Sequence, residues 1–222
     1  MNPMYVALGG LFISMCVVVV YILRRAVLAQ RRVKEEFRTF AHKRNFTFSP
    51  LKIQGAMEIL PRLLRAKNLS IENVMEGDQE GISVTLFQCY YPISSSFQAT
   101  SPYRSEMSCG VARLDRTFPD FLVIPPDSLG PGRLGSQEGN LPESQVRDLK
   151  LVDYRFFSTD PDFLLRLLRI RAPESDFGWG GCDNKLFVFC ENTVLSPGLA
   201  RIYLSKLKLL VESVKKAIES SA

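Results

Sequence analysis

Apolar residues fall along this chain in runs of different period, and each period predicts a different element. The first run has no period at all: Met4 to Leu23, "MYVALGGLFISMCVVVVYIL", contains no charged side chain. As a helix, at about 1.5 Å per residue, such a stretch reaches about 30 Å, the thickness of a bilayer's hydrocarbon core. With Tyr5, Ser14 and Tyr21 its hydroxyl-bearing residues and no charge, it predicts a transmembrane helix over 4–23 behind a short tail, 1–3. Val33, Phe37, Phe40 and Ala41 then recur at helical spacing, so residues 24–44 read as an amphipathic continuation of that helix.

Beyond residue 45 the periods alternate between two and 3.6. "NFTFSP" alternates as a short strand, and Gln54 to Ala66 reads as a helix kinked or started by Pro61. "SIENVMEGDQEGISVTLFQCYYPIS" places a charged turn, Glu76 to Gly81, between two extended runs, which predicts a hairpin. Further strands are expected at Ser105–Leu114, Phe121–Ile124 and Leu151–Phe157. "STDPDFLLRLLRI" starts a helix: Ser158, Thr159 or Asp160 can cap it, Pro161 suits its first turn and Asp162 complements the dipole. "PESDFGWGGCDN" reads as a turn, "KLFVFCEN" as a strand, and Ser196-Pro197 opens a last helix to about Ile218. Its predicted stripe is Leu199, Ile202, Tyr203, Leu207, Leu210, Val211, Val214 and Ile218. This order predicts an α+β fold, a mainly antiparallel sheet covered on one face by C-terminal helices, over residues 45–222. Residues 127–145, rich in Gly, Pro and Ser, form an expected flexible loop.

Charge settles an orientation for the predicted anchor. Between Arg24 and Arg44 lie Arg24, Arg25, Arg31, Arg32, Lys34, Arg38, Lys43 and Arg44 against only Glu35 and Glu36. That flank carries +6 while the whole chain carries +5, so the remainder sums to −1. The positive-inside rule places the flank and the domain on the cytosolic side of the plasma membrane, with the N-terminus outside. The same eight residues are the candidate contact with anionic headgroups. A pI near 9.0 therefore has a membrane explanation, and no nucleic-acid partner is expected. No Lys or Arg precedes the apolar run, which argues against a cleaved signal peptide.

Candidate chemistry is sparse. Five cysteines, with no C-x-x-C pair, suit a reducing compartment and small buried apolar roles rather than a metal site. The single histidine, His42, lies in the basic flank, a poor setting for a general base. Gly130, Gly132 and Gly135 match G-x-G-x-x-G, but no helix opens after them; Asp176-Phe177-Gly178 lacks every other kinase element. Glu76, Asp78 and Glu80 lack the spacing of a calcium loop. No cofactor, metal or catalytic residue is assigned, and the chain is read as a non-enzyme. Trp179, in the glycine-rich turn, is the candidate partner contact, with a fold onto the core as its alternative.

"FRTFAHKRNFTFSP", "NVMEGDQEGISVTLFQCYY", "PDFLVIPP" and "YRFFSTDPDFLLRLL" together resemble bacterial single-pass membrane proteins with a basic Phe-containing linker and a cytosolic α+β domain. The resemblance implies that order of elements and carries over no functional residues. The expected function is a membrane-anchored interaction module or accessory subunit, contacting lipid and a protein partner. A small-ligand or lipid-headgroup sensor and an unrecognised membrane-associated hydrolase are the alternatives.

Overall fold

The computed structural model describes residues 3–50, 53–54, 63, 70–92, 104–126, 128, 141–143, 154–173 and 176–220. The chain divides into two compact units, Met1–Phe40 and Ala41–Ala222.

The first unit is helix α1, which runs Pro3–Lys43 across the boundary. Among the described residues no helix is long and apolar enough to cross a membrane. The transmembrane helix expected over 4–23 is corrected accordingly, and with it the single-pass placement, outer N-terminus and cytosolic domain. Helix α1 carries the apolar stretch without a break into the basic segment that begins at Arg24 and Arg25. Further along α1, Val33 is exposed while Phe37 and Phe40 are buried.

The second unit is built on one sheet. The described strands are β1 (Thr47–Ser49), β2 (Ile53–Gln54), β3 (Ser70–Gln79), β4 (Ile82–Pro92), β5 (Arg104–Arg113), β6 (Phe121–Ile124), β7 (Arg155–Ser158), β8 (Gly178–Cys182) and β9 (Lys185–Glu191). Their order is β1-β3-β4-β5-β9-β8-β6-β7, with β2 also on β3, and every pairing is antiparallel. The mainly antiparallel α+β reading therefore stands for this unit. The hairpin is tighter than its charge pattern suggested. Gln79 pairs with Ile82, so Glu76 and Asp78 belong to the strand and only Glu80 and Gly81 turn. Both have positive φ, 56° and 80°, the geometry of a type I′ turn that follows the strands' twist. The Asp78 carboxylate accepts the Gly81 N–H at 2.8 Å.

Helix α2 (Pro161–Ile170) is capped by Asp160, whose carboxylate accepts the Phe163 N–H at 3.0 Å. Helix α3 (Pro197–Glu219) is capped by Ser196 through the Leu199 N–H at 3.1 Å. The buried face of α3 comprises Ala200, Tyr203, Leu204, Leu207, Leu210, Val211, Ser213, Val214 and Ala217. Ile202, expected in that stripe, is exposed.

The sheet is buried on both faces, not on one. Tyr203 and Leu207 of α3 pack on Gly110 of β5, while α2 sends Phe163 against Phe121 of β6, ring centroids 5.9 Å apart. Ile71, Phe87, Cys89, Met107, Cys109, Cys182, Phe187 and Phe189 form a second buried cluster, which Leu63 and Leu141 join. The expected helix over 54–66 lies outside the described residues apart from Gln54, which is in β2, and Leu63. The expected loop over 127–145 likewise lies outside them except at 128 and 141–143.

The segment read as a turn, "DFGWGGCDN", contains strand β8. Glycines are there because phenylalanines cover them. A Cβ on Gly178 would run into the Phe189 ring, and one on Gly180 would sit 2.6 Å from the Phe121 carbonyl oxygen and 2.7 Å from the Phe187 ring. An isolated run of glycines signals a turn in most contexts, but here it marks close approach.

Candidate functional site

A groove opens where β6 leaves the sheet. Phe121, Leu122 and Val123 pair with Gly181, Gly180 and Trp179. Past Ile124 come Pro125 and Pro126, which have no N–H to continue a ladder. Gly178 is left beside Phe189 of β9 at the floor of a depression enclosing about 450 Å³ open to solvent. Its rim carries Asp176, Glu191, Asn192 and Ser128. Asn192 holds a positive φ of 52° and donates its N–H to the Glu106 carbonyl at 2.8 Å, which turns the chain at the end of β9. Arg155 Nη2 donates to the Ser128 carbonyl at 3.2 Å and fixes the opposite wall. Cys190 also lines the groove, with its Sγ 3.2 Å from Thr193 Oγ1. Among the described lining residues there is no lysine, arginine or histidine. Carboxylates, an amide and a hydroxyl suit the groove to holding hydrogen-bond donors.

A narrow apolar crevice lies between the β3–β4 hairpin and α3, lined by Ile82, Val84, Ala112, Leu204, Leu207 and Val211. Lys208 of α3 reaches Glu80 at the hairpin tip, Nζ to Oε2 2.7 Å. That hydrogen bond raises the Lys208 ammonium above its ordinary range.

Between α3 and the sheet sits a closed polar set. Tyr203 Oη donates to the Ser108 carbonyl at 2.9 Å and lies 2.7 Å from Ser108 Oγ. Gln88 Oε1 accepts the Leu195 N–H at 3.2 Å, tying the β9–α3 connection to β4. Burial pushes the Tyr203 phenol well above its ordinary range, against a smaller downward pull from the Ser108 hydrogen bond. Burial likewise raises the Cys109 thiol, with Cys89 adding to it. Both groups are held protonated, so neither is an activated nucleophile. Among the described residues no cluster of His, Cys, Asp and Glu is placed to hold a metal ion.

The residues singled out from sequence are dispersed. Arg24, Arg25, Arg31, Arg32, Lys34, Arg38, Lys43 and Arg44 are all exposed, and Arg38 is paired with Glu35 at 2.6 Å. Arg24 and Arg25 lie within a run of exposed apolar side chains and the others follow it: the large hydrophobic side chains from Met15 to Leu28 are 46–63% exposed. Trp179 is 3% exposed and packs edge-on against Phe121, centroids 5.8 Å apart. It is a core residue of β8, not a surface contact, because its strand is buried on both sides. His42 is exposed. Asp176, Glu191 and Asn192 were not singled out for the groove. Their only sequence signal was the Pro-Pro pair ending β6, which marks an end of pairing without saying what gathers there.

No protein-family model and no curated protein matches the sequence. Among solved structures, the crystal structure of the mycobacterial trehalose monomycolate transport factor A, TtfA, matches with a TM-score of 0.52. The match covers 83% of this chain and 92% of that one at 12% identity, so what the two share is a fold.

Proposed function

We propose that the chain is a non-catalytic accessory subunit that engages an anionic lipid surface through α1 and holds a protein partner through its α+β unit. The observation that carries this reading is the surface of α1. A run of exposed apolar side chains, Met15 to Leu28, is interleaved with and followed by exposed arginines. Water solvates such a surface poorly, whereas acyl chains and phosphates complement its two halves. Each basic residue held near the headgroups contributes at most about 1 kcal/mol. The fold shared with a trehalose monomycolate transport factor supports an accessory role at a lipid surface.

Two measurements test it on the full chain. Reconstituted from mild detergent, the protein is expected to co-float with vesicles containing phosphatidylserine and to do so less with phosphatidylcholine alone. Crosslinking in cells followed by purification is expected to recover one stoichiometric protein partner. Failure to co-float with anionic vesicles refutes the lipid half, and a monodisperse monomer without a partner refutes the accessory half. The groove at Gly178 supports a second reading, a small-ligand sensor, since Asp176, Glu191 and Asn192 gather polar groups beside it. Native mass spectrometry that finds a bound metabolite would favour it.

A further inference from the structure

We infer that the outward face of α2 is where the protein partner docks, and that Arg166 and Arg169 grip carboxylates on an acidic segment of that partner. The inference rests on the partner half of the proposed function and adds a location and a chemistry to it. At about 100° per residue, the buried Phe163, Leu164, Leu167 and Leu168 occupy one side of the helix. The other side presents Leu165, Arg169, Arg166 and Ile170 in that order around the helix, two arginines between two apolar residues. Ile170 is 42% exposed and Arg169 is exposed, while Leu165 and Arg166 are half-buried. Arg166 is the informative residue. Its Nε–H is shielded from water, and among the described residues no acceptor reaches it. Nor does any described carboxylate form an ion pair with either arginine. A charged donor taken out of water without an acceptor costs free energy that the fold does not return. Arg169 has a local reason for its place, the negative end of the helix dipole. Arg166, a turn earlier, has none.

A guanidinium presents a planar fork that matches the two oxygens of a carboxylate. Swung outward from the helix, the Arg166 side chain brings its orphaned N–H to such an acceptor, and rotamer changes of this kind are common on docking. Arg169, three residues on, takes a second carboxylate on the same side. Leu165 and Ile170 give the partner an apolar margin to either side of the charges. The same face carries Asp162, which is exposed. A layer of lipid phosphates meets that carboxylate as a like charge, whereas a protein segment can answer it with a lysine or arginine of its own. The helix is 10 residues long, about 15 Å, a length that one short helix or strand of a partner covers.

Two arms test this on the full chain in cells. In the first, a benzophenone-bearing phenylalanine replaces Ile170, and illumination is expected to give one discrete protein adduct whose attached peptide, sequenced by mass spectrometry, is rich in Asp and Glu. In the second, recovery of the crosslinked partner is compared among variants. Arg166→Gln/Arg169→Gln is expected to lower it about tenfold. Arg166→Lys/Arg169→Lys, which keeps the charge and loses the fork, should lower it about threefold. Lys215→Gln/Lys216→Gln, an equal change of charge at exposed positions of α3, should leave it within about twofold. Glutamine and arginine have similar helix propensity, and Arg166 gives up no acceptor, so the urea midpoint of the arginine-to-glutamine pair should not fall. A lower midpoint would assign Arg166 to the fold and overturn the inference. An adduct with lipid, an attached peptide without acidic residues, or undiminished recovery from the glutamine pair also overturns it, while one stoichiometric partner still supports the accessory reading. If the unaltered chain recovers no partner at all, both fall.

Discussion

Replacing the glycines of β8 by alanine tests the account of why this strand is glycine-rich. In a strand interior, alanine for glycine ordinarily stabilises by about 0.5–1 kcal/mol, because glycine loses more backbone freedom on folding. Here the added methyl has no room. At Gly178 the three nearest atoms all belong to the Phe189 ring, whereas at Gly180 it lies 2.6 Å from a backbone oxygen, that of Phe121, and 2.7 Å from the Phe187 ring. Overpacking of this kind costs about 1–3 kcal/mol. Set against the entropic gain, Gly178→Ala is expected to lose about 1–2 kcal/mol and Gly180→Ala more, since a backbone carbonyl cannot step aside. Phe189→Leu shortens the obstructing ring. The double variant Gly178→Ala/Phe189→Leu should therefore be more stable than the sum of its single changes predicts, while Phe189→Leu should give no such relief to Gly180→Ala. Urea unfolding reads this directly. Trp179 is the single tryptophan and is buried beside these glycines, so its fluorescence reports loss of the strand, and circular dichroism checks that the unfolding is global. Neutral or stabilising glycine variants would refute the packing argument.

Tyr203→Phe leaves the buried Ser108 carbonyl without its donor and is expected to cost about 1–2 kcal/mol, measured by the same urea titration. Because burial raises the Tyr203 and Cys109 ionisations in the folded state, the unfolded chain releases protons first as pH rises. The associated stability is complete below the ordinary thiol value of 9.0 and is lost at higher pH, and Tyr203→Phe should flatten that alkaline decline. Asp160→Ala removes the cap of α2 and is expected to lower stability by about 1 kcal/mol, with Asp160→Ser largely restoring it. Lys208→Gln, which breaks the exposed pair with Glu80, should leave the urea midpoint unchanged, and a clear loss would mean that the pair holds the hairpin to α3.

Local chemistry explains which parts of the fold were legible in the sequence. The hairpin, the Phe121–Ile124 strand, the last strand and both helix caps each carry their signal within a few residues, and each is in the structure. Strand β8 was missed because its glycines answer to Phe187 and Phe189, on a neighbouring strand, and no local rule reads that. Ile202 and Ala200 on α3 exchange roles for a similar reason: periodicity gives the spacing of a stripe but leaves its centre uncertain by about one position. The basic flank was legible and is exposed. The groove was not, because Pro125, Asp176 and Glu191 meet only when β6, β8 and β9 come together.

Strand β9 has a place in the sheet that bears on how the chain is made. It joins β3–β4–β5 to β8–β6–β7, pairing with β5 on one side and β8 on the other. Ser108 and its neighbour across this seam, Cys190, are 82 residues apart. During synthesis β5 emerges long before β9, so an edge bearing Met107, Cys109 and Val111 waits unpaired while the intervening residues are added. Unpaired edges of that kind recruit other strands. Ribosome-bound chains ending before Lys185 should accordingly depend on chaperones that shield strand edges, and that dependence should end once β9 has cleared the exit tunnel.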